Sequence, residues 1–186
     1  MGKTTLMQAL LKKHEFAVAY ESHTERPYQK LFKEDAKYAL ANQVDYLLTR
    51  AEQEVQLRQN DKMILMDGGL DLDFYGFTRL FHAHSWLSDL DLDLCRRFYI
   101  FARSLLPPAD LIVWLKADAK IITQRLASRD RINIASSDDA MLLEKFINEW
   151  IESLDQEKVL KLDVSNEDIN YQKSISRIME KINGKF

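Results

Sequence analysis

Leu111-Ile112-Val113-Trp114-Leu115-Lys116 is the clearest strand in the chain. Pro107-Pro108 breaks the backbone ahead of it, and a helical pattern runs from Ala119 to about Arg129 behind it. A short continuous apolar run is how a strand buried on both faces reads, and a helix directly after it suits a parallel crossover. Short apolar runs and helical patterns alternate through the rest of the chain as well.

Upstream, Lys62 to Asp67 (KMILMD) is a strand stopped by Gly68-Gly69, and Phe16 to Tyr20 (FAVAY) is another. Pro27 marks a turn before a long helix over roughly Asp35 to Asn60. Two more helices cover about Asp73 to His84 and Asp89 to Leu106. Downstream, a polar loop spans Asn133 to Asp138. A helix at Ala140 to Leu154, a strand near Val159 to Leu162 and a last helix from about Glu167 to Ile182 follow. Helices alternating with short apolar strands predict an α/β chain with a parallel sheet flanked by helices. No repeat or linker divides it, so one domain over 1–186 is expected, with a lid at about 125–138.

The start, Met1-Gly2-Lys3-Thr4-Thr5-Leu6, matches the second half of G-x-x-x-x-G-K-[ST] and leads into a helix to about Lys13. Backbone N–H groups at such a helix start suit phosphate oxygens, the lysine adds a point charge, and the threonine hydroxyl suits magnesium. The strand and glycine that belong ahead of this half-loop are absent from the sequence as given. The expectation is therefore that the first, central strand of a P-loop kinase-like sheet is missing from this chain and that Met1 is internal to the loop.

Bulk properties narrow the partners. The 186 residues are 46% hydrophobic, sufficient for a sizeable core. A net charge of −3, with 26 basic and 29 acidic residues interspersed, gives no electrostatic reason to expect a nucleic acid polymer or an anionic membrane. No apolar run approaches the roughly 18 residues of a membrane span. The one cysteine, Cys95, forbids an intrachain disulfide and suits a reducing, cytoplasmic setting.

Several polar residues stand where this pattern puts chemistry. Ligands of open α/β sheets bind beyond the C-terminal ends of strands. Glu21, directly after FAVAY, is placed for general-base work, and Asp67, closing KMILMD, is a candidate magnesium carboxylate. Gln43 and Arg50 are seven apart and share one face of the long helix. A glutamine amide can pair with a nucleobase edge, and an arginine beside an acid offers fixed donors. Arg125, Arg129 and Arg131 form R-x3-R-x-R at a helix end, a cluster able to close over a phosphate chain. His14, His23, His82 and His84 lack metal spacing, and Asp89, Asp91 and Asp93 lack the glycine of a calcium loop.

Tyr38 to Arg50 (YALANQVDYLLTR) and Pro108 to Arg131 (PADLIVWLKADAKIITQRLASRDR), in this order and spacing, make the chain resemble the deoxyribonucleoside kinases. The resemblance implies ATP or another nucleoside triphosphate as donor, Mg2+, and phosphorylation of a deoxynucleoside 5′-hydroxyl. It places Gly2, Lys3, Thr4 and Thr5 on the donor phosphates, Thr4 and Asp67 with magnesium, and Glu21 as general base. Arg125, Arg129 and Arg131 match the family's lid arginines. Gln43 would read the base with Arg50 and Asp73, a charged pair that resembles members taking purine or cytosine bases rather than thymine. Phe32 falls in the substrate pocket where many members carry a tyrosine that contacts the sugar. The strand-end motif also departs: acid-Arg-Ser in the family reads Asp67-Gly68-Gly69 here. Family members are commonly dimers, so a homodimer through the apolar helices between Asp73 and Leu106 is expected. Two other readings share parts of the pattern: a nucleoside-binding or scaffold relative without turnover, and a nucleoside monophosphate kinase.

Overall fold

A computed structural model describes residues 2–20, 25–118 and 137–184. It resolves into two compact units. One comprises Met1–Phe16, Ala109–Ile134 and Ile151–Phe186, and the other Ala17–Pro108 and Ala135–Trp150.

The first unit begins with α1 (Lys3–Leu11), capped by Gly2 in a left-handed conformation at φ 81°. Its strands β3 (Ile112–Lys116) and β4 (Val159–Asp163) pair in parallel, with Ile112 opposite Val159 and Lys116 opposite Asp163. A 3-10 turn at Gln156–Lys158 feeds β4, and a last helix, Gln172–Asn183, packs against both α1 and β4. That helix buries Ser174, Ile175 and Ile178, three and four residues apart, which is one apolar stripe on an otherwise polar helix.

The second unit holds the other parallel pair, β1 (Ala17–Ala19) with β2 (Ile64–Met66), in the register Ala17–Ile64 to Ala19–Met66. Proline does not merely turn the chain at position 27. It occupies the first position of α2 (Pro27–Glu34), where its missing N–H costs nothing and its fixed φ favours a helix. Arg26 anchors that helix to its neighbour through Asp45, with Nε donating to Oδ2 at 2.5 Å and Nη2 to Oδ1 at 2.7 Å.

The expected long helix starts later than the sequence pattern implies. Asp35 accepts from the Lys37 N–H and opens a 3-10 turn at Ala36–Tyr38, and α3 then runs Ala39–Leu57. Downstream of β2 the chain becomes helical at α4 (Leu70–Leu72), widens into a π-helical turn at Asp73–Thr78, and continues as α5 (Arg79–Ala83). The expected helix from Asp73 is thus the widened part of a longer helical segment. α6 (Asp89–Leu105) starts with a capping box in which Ser88 and Asp91 satisfy each other's backbone N–H. Asp89 and Asp91 therefore serve the positive end of a helix, and Asp93 pairs with Arg96 at 3.5 Å. α7 (Ser137–Ser153) follows.

One core of this unit collects Leu47 from α3, Leu70 and Phe74 from the α4–π segment, and Cys95 and Ala102 from α6. Gly76, inside the π-turn, allows α7 to approach: a Cβ there would sit 3.0 Å from Leu143 Cδ1. The expected helix at Ala119–Arg129 and nearly all of the lid span lie outside the described residues.

Candidate functional site

α3 supplies the acceptor-side candidates from its buried face, where Asn42, Gln43, Leu47, Arg50, Glu54 and Leu57 recur at helical spacing. Gln43 and Arg50, 1% and 5% exposed, both turn toward the π-turn. Gln43 Nε2 donates to the Asp73 backbone carbonyl at 3.1 Å and to Thr78 Oγ1 at 2.8 Å. The Thr78 hydroxyl donates in turn to the same carbonyl at 3.0 Å. Two helical turns along α3, Arg50 Nε donates to Asp73 Oδ2 at 2.9 Å and Nη1 to Gln53 Oε1 at 3.1 Å. Gln43, Arg50 and Asp73 are thus brought together as the sequence implied, with both side chains of the ion pair less than a tenth exposed.

Asp67 closes β2, 2% exposed, and its N–H donates to Ala19 O at 3.0 Å in the β1–β2 pair. Gly68, next in line, has φ +82°, and a Cβ there would meet Arg50 Nη2 at 3.6 Å. An arginine at 68 would be strained by that backbone and would bring a second cation toward Arg50. Phe32 lies in an aromatic cluster. It stacks on Phe81 at 4.8 Å and meets Trp86 edge-on at 5.2 Å, and Trp86 stacks on His84 at 4.5 Å.

In the other unit, Gly2, Lys3 and Thr4 at the start of α1 are partly buried and Thr5 is exposed. The helix begins with the Leu6 N–H donating to Gly2 O at 2.9 Å. Glu21, Arg125, Arg129 and Arg131 lie outside the described residues.

The sequence reading missed a second polar network. Arg103 of α6 donates from Nε and Nη2 to the two oxygens of Asp71 at 3.0 and 2.7 Å, and from Nη1 to Glu54 Oε1 at 3.0 Å. Tyr99 donates its hydroxyl to Asp71 at 2.7 Å, and Arg58 adds a bond to Glu54 at 2.8 Å. Burial alone would lower the Arg103 pKa, but the carboxylates of Glu54 and Asp71 overturn that and raise it. Burial, reinforced by Asp71, drives the Tyr99 phenol far above its ordinary range. The one available signal was the i, i+4 series Arg50, Glu54, Arg58 along α3. His82 and His84, read as bland, each meet a carboxylate: Asp89 at 2.8 Å for His82, and Asp139 for His84.

With this geometry in hand, a family model described as deoxynucleoside kinase matches residues 1–186. The chain belongs to the deoxynucleoside kinase family. Three solved structures of deoxyadenosine kinase from M. mycoides share the fold of this family member. The structure with the products dCMP and a flexible dCDP gives a TM-score of 0.79 at 22% identity. The structure with dATP gives 0.78 at 23%, and the one with dCTP 0.75 at 19%. Each covers 98% of this chain and 94% of the other. No curated protein matches by sequence. The kinase-family chain therefore has an α/β, P-loop kinase fold, with parallel strands flanked by helices. Among its described residues no helix is long and apolar enough to cross a membrane.

Proposed function

We propose that the protein transfers the γ-phosphoryl group of ATP, or another nucleoside triphosphate, to the 5′-hydroxyl of a deoxynucleoside with a purine or cytosine base. The observation that carries this reading is the buried Arg50–Asp73 pair beside the Gln43 amide. Fixed donors and acceptors in a dry site are what base recognition requires. The M. mycoides deoxyadenosine kinase holds dATP in one structure and dCTP in another, which supports a site accepting both base classes.

In this mechanism the first turn of α1, with Gly2, Lys3, Thr4 and Thr5, cradles the donor phosphates. Glu21 takes the proton as the 5′-oxygen attacks the γ-phosphorus and the nucleoside diphosphate leaves. Arg125, Arg129 and Arg131, in the lid at about 125–138, offset the charge that develops on the transferred group. Thr4 and Asp67 would hold Mg2+. A hydroxyl and a carboxylate suit that ion, which usually keeps water and phosphate oxygens as its other ligands. When bound, it neutralises charge on the phosphates. Phe32 lines the sugar end of the pocket, and the site works within one domain in a cytoplasmic setting.

A homodimer belongs to the same reading. α6 carries Leu90, Phe101 and Leu105 at 83%, 63% and 67% exposure, an apolar face that a second copy would cover. Light scattering on Phe101→Asp tests it, with a shift from dimer to monomer expected.

Incubation with labelled ATP and Mg2+ against the four common deoxynucleosides and their monophosphates tests the activity. Deoxyadenosine, deoxyguanosine or deoxycytidine should yield a 5′-monophosphate, and the monophosphates should not be extended. Transfer only to monophosphates would indicate a nucleoside monophosphate kinase. Gly68 favours one further reading, a nucleoside-binding relative without turnover, since it stands where the family motif carries an arginine. Nucleoside binding with no transfer to any acceptor would support that relative.

A further inference from the structure

Thr78 has no part in the reading above, yet it is 0% exposed and its hydroxyl completes the contact between α3 and the π-turn. The Gln43 amide nitrogen, the Asp73 carbonyl oxygen and the Thr78 hydroxyl oxygen form a closed triangle with sides of 3.1, 3.0 and 2.8 Å. The carbonyl can only accept, so the Gln43 atom facing it must be the NH2 group. The Thr78 proton is committed to that same carbonyl, which leaves its oxygen as an acceptor for Gln43. Both neighbours therefore select one orientation of the amide. That orientation points Oε1 away from the triangle. Among the described residues no hydrogen bond is directed to Oε1, although Gln43 is 1% exposed.

We propose that Thr78 is a positioning residue for base selection: it holds the Gln43 amide so that the site presents an acceptor, and so favours bases with an amino group on the pairing edge. This rests on the nucleoside-binding reading of the site. A freely turning glutamine could offer either its oxygen or its NH2 group and would serve donor and acceptor bases alike. A held glutamine accepts adenine through its 6-amino group and cytosine through its 4-amino group by one common contact. It penalises an analogue in which hydrogen replaces that amino group, because the acceptor is then left unpaired.

The geometry of the π-turn makes this possible. Asp73 and Thr78 are five residues apart, a spacing that an α-helix does not bring together but a widened turn does. Such turns recur at functional sites, and here the widening is what carries the hydroxyl to the carbonyl.

Binding to the full-length protein is measured for two ligand pairs: 2′-deoxyadenosine with purine 2′-deoxyriboside, and 2′-deoxycytidine with its analogue lacking the 4-amino group. Wild type should favour the amino-bearing member of each pair. Thr78→Val, which keeps the shape and removes the hydroxyl, should narrow that preference by about three- to tenfold, the effect of one neutral hydrogen bond. Thr78→Ser should restore it. A preference unchanged in Thr78→Val overturns the proposal. If wild type binds both members of each pair equally, the site stands and only the role of Thr78 falls. If it binds neither pair, the nucleoside reading falls and takes this inference with it. A second measurement needs no substitution at Thr78: the Gln43 side-chain amide protons, assigned by their loss in Gln43→Leu, should exchange slowly in the free wild-type protein. Rapid exchange would overturn the lock.

Discussion

Two arginine–carboxylate contacts sit one helical turn apart along α3, and they are built to different ends. Around Arg103 every part of the guanidinium has a partner: Nε and Nη2 bond Asp71, and Nη1 bonds Glu54 and reaches the Leu106 and Pro107 carbonyls. Arg50, at similar depth, bonds Asp73 through Nε and Gln53 through Nη1, and its Nη2 faces the bare backbone of Gly68. The first network is closed on itself and holds α6 to α3 and α4. Among the described residues the second leaves Arg50 Nη2 without a hydrogen bond, beside a glutamine whose acceptor oxygen is turned away from its partners. In the function proposed above, the closed network is structural and the unused hydrogen-bonding capacity is where the nucleoside would bind.

That contrast can be broken most sharply at Arg103. Arg103→Met leaves the half-buried Asp71 carboxylate without its cation and Glu54 with Arg58 alone, which should lower stability by about 3 kcal/mol in a denaturant titration. The relative affinity for purine and cytosine nucleosides should stay unchanged. A shift in base preference would mean the closed network also serves the site. Arg50→Met also takes the cation from buried Asp73 and should cost stability as well, but it alone should weaken deoxynucleoside binding, by about 2 kcal/mol, roughly thirtyfold, by calorimetric titration. An unaffected affinity would make Arg50 another structural arginine.

A smaller effect comes from the core between the two networks. Burial, with a contribution from Asp91, pushes the Cys95 thiol up to about 11 from an ordinary 9.0. Between those values the unfolded chain has lost the thiol proton while the folded chain keeps it. Stability therefore falls as pH rises across that window. Cys95→Ala should flatten the slope of the denaturation midpoint between pH 9 and 11, and an identical slope would place the titration elsewhere. The smallest expected effect is at the exposed Lys37–Asp35 pair, where Lys37→Ala should leave the midpoint within error and binding unchanged.

The fold was largely legible in the sequence because its signals were local. LIVWLK after a double proline, and KMILMD before two glycines, both became paired parallel strands. The Gln43–Arg50 face was legible for the same reason, since a regular helix preserves the 3.6-residue period. What escaped depended on departures from that period. Thr78 joins Asp73 only because the turn between them is π-helical, and Arg103 meets Asp71 from 32 residues away. Pro27 was read as a break because proline stops helices from within, yet it starts them well from the first position.

The most direct test compares 2′-deoxyadenosine binding by wild type, Arg50→Met and Arg103→Met at a temperature where all three are folded. Arg50→Met should bind about thirtyfold more weakly, while Arg103→Met stays within about threefold of wild type despite its lower stability. Equal losses in the two variants, or none in Arg50→Met, would contradict a ligand-binding role for the open network.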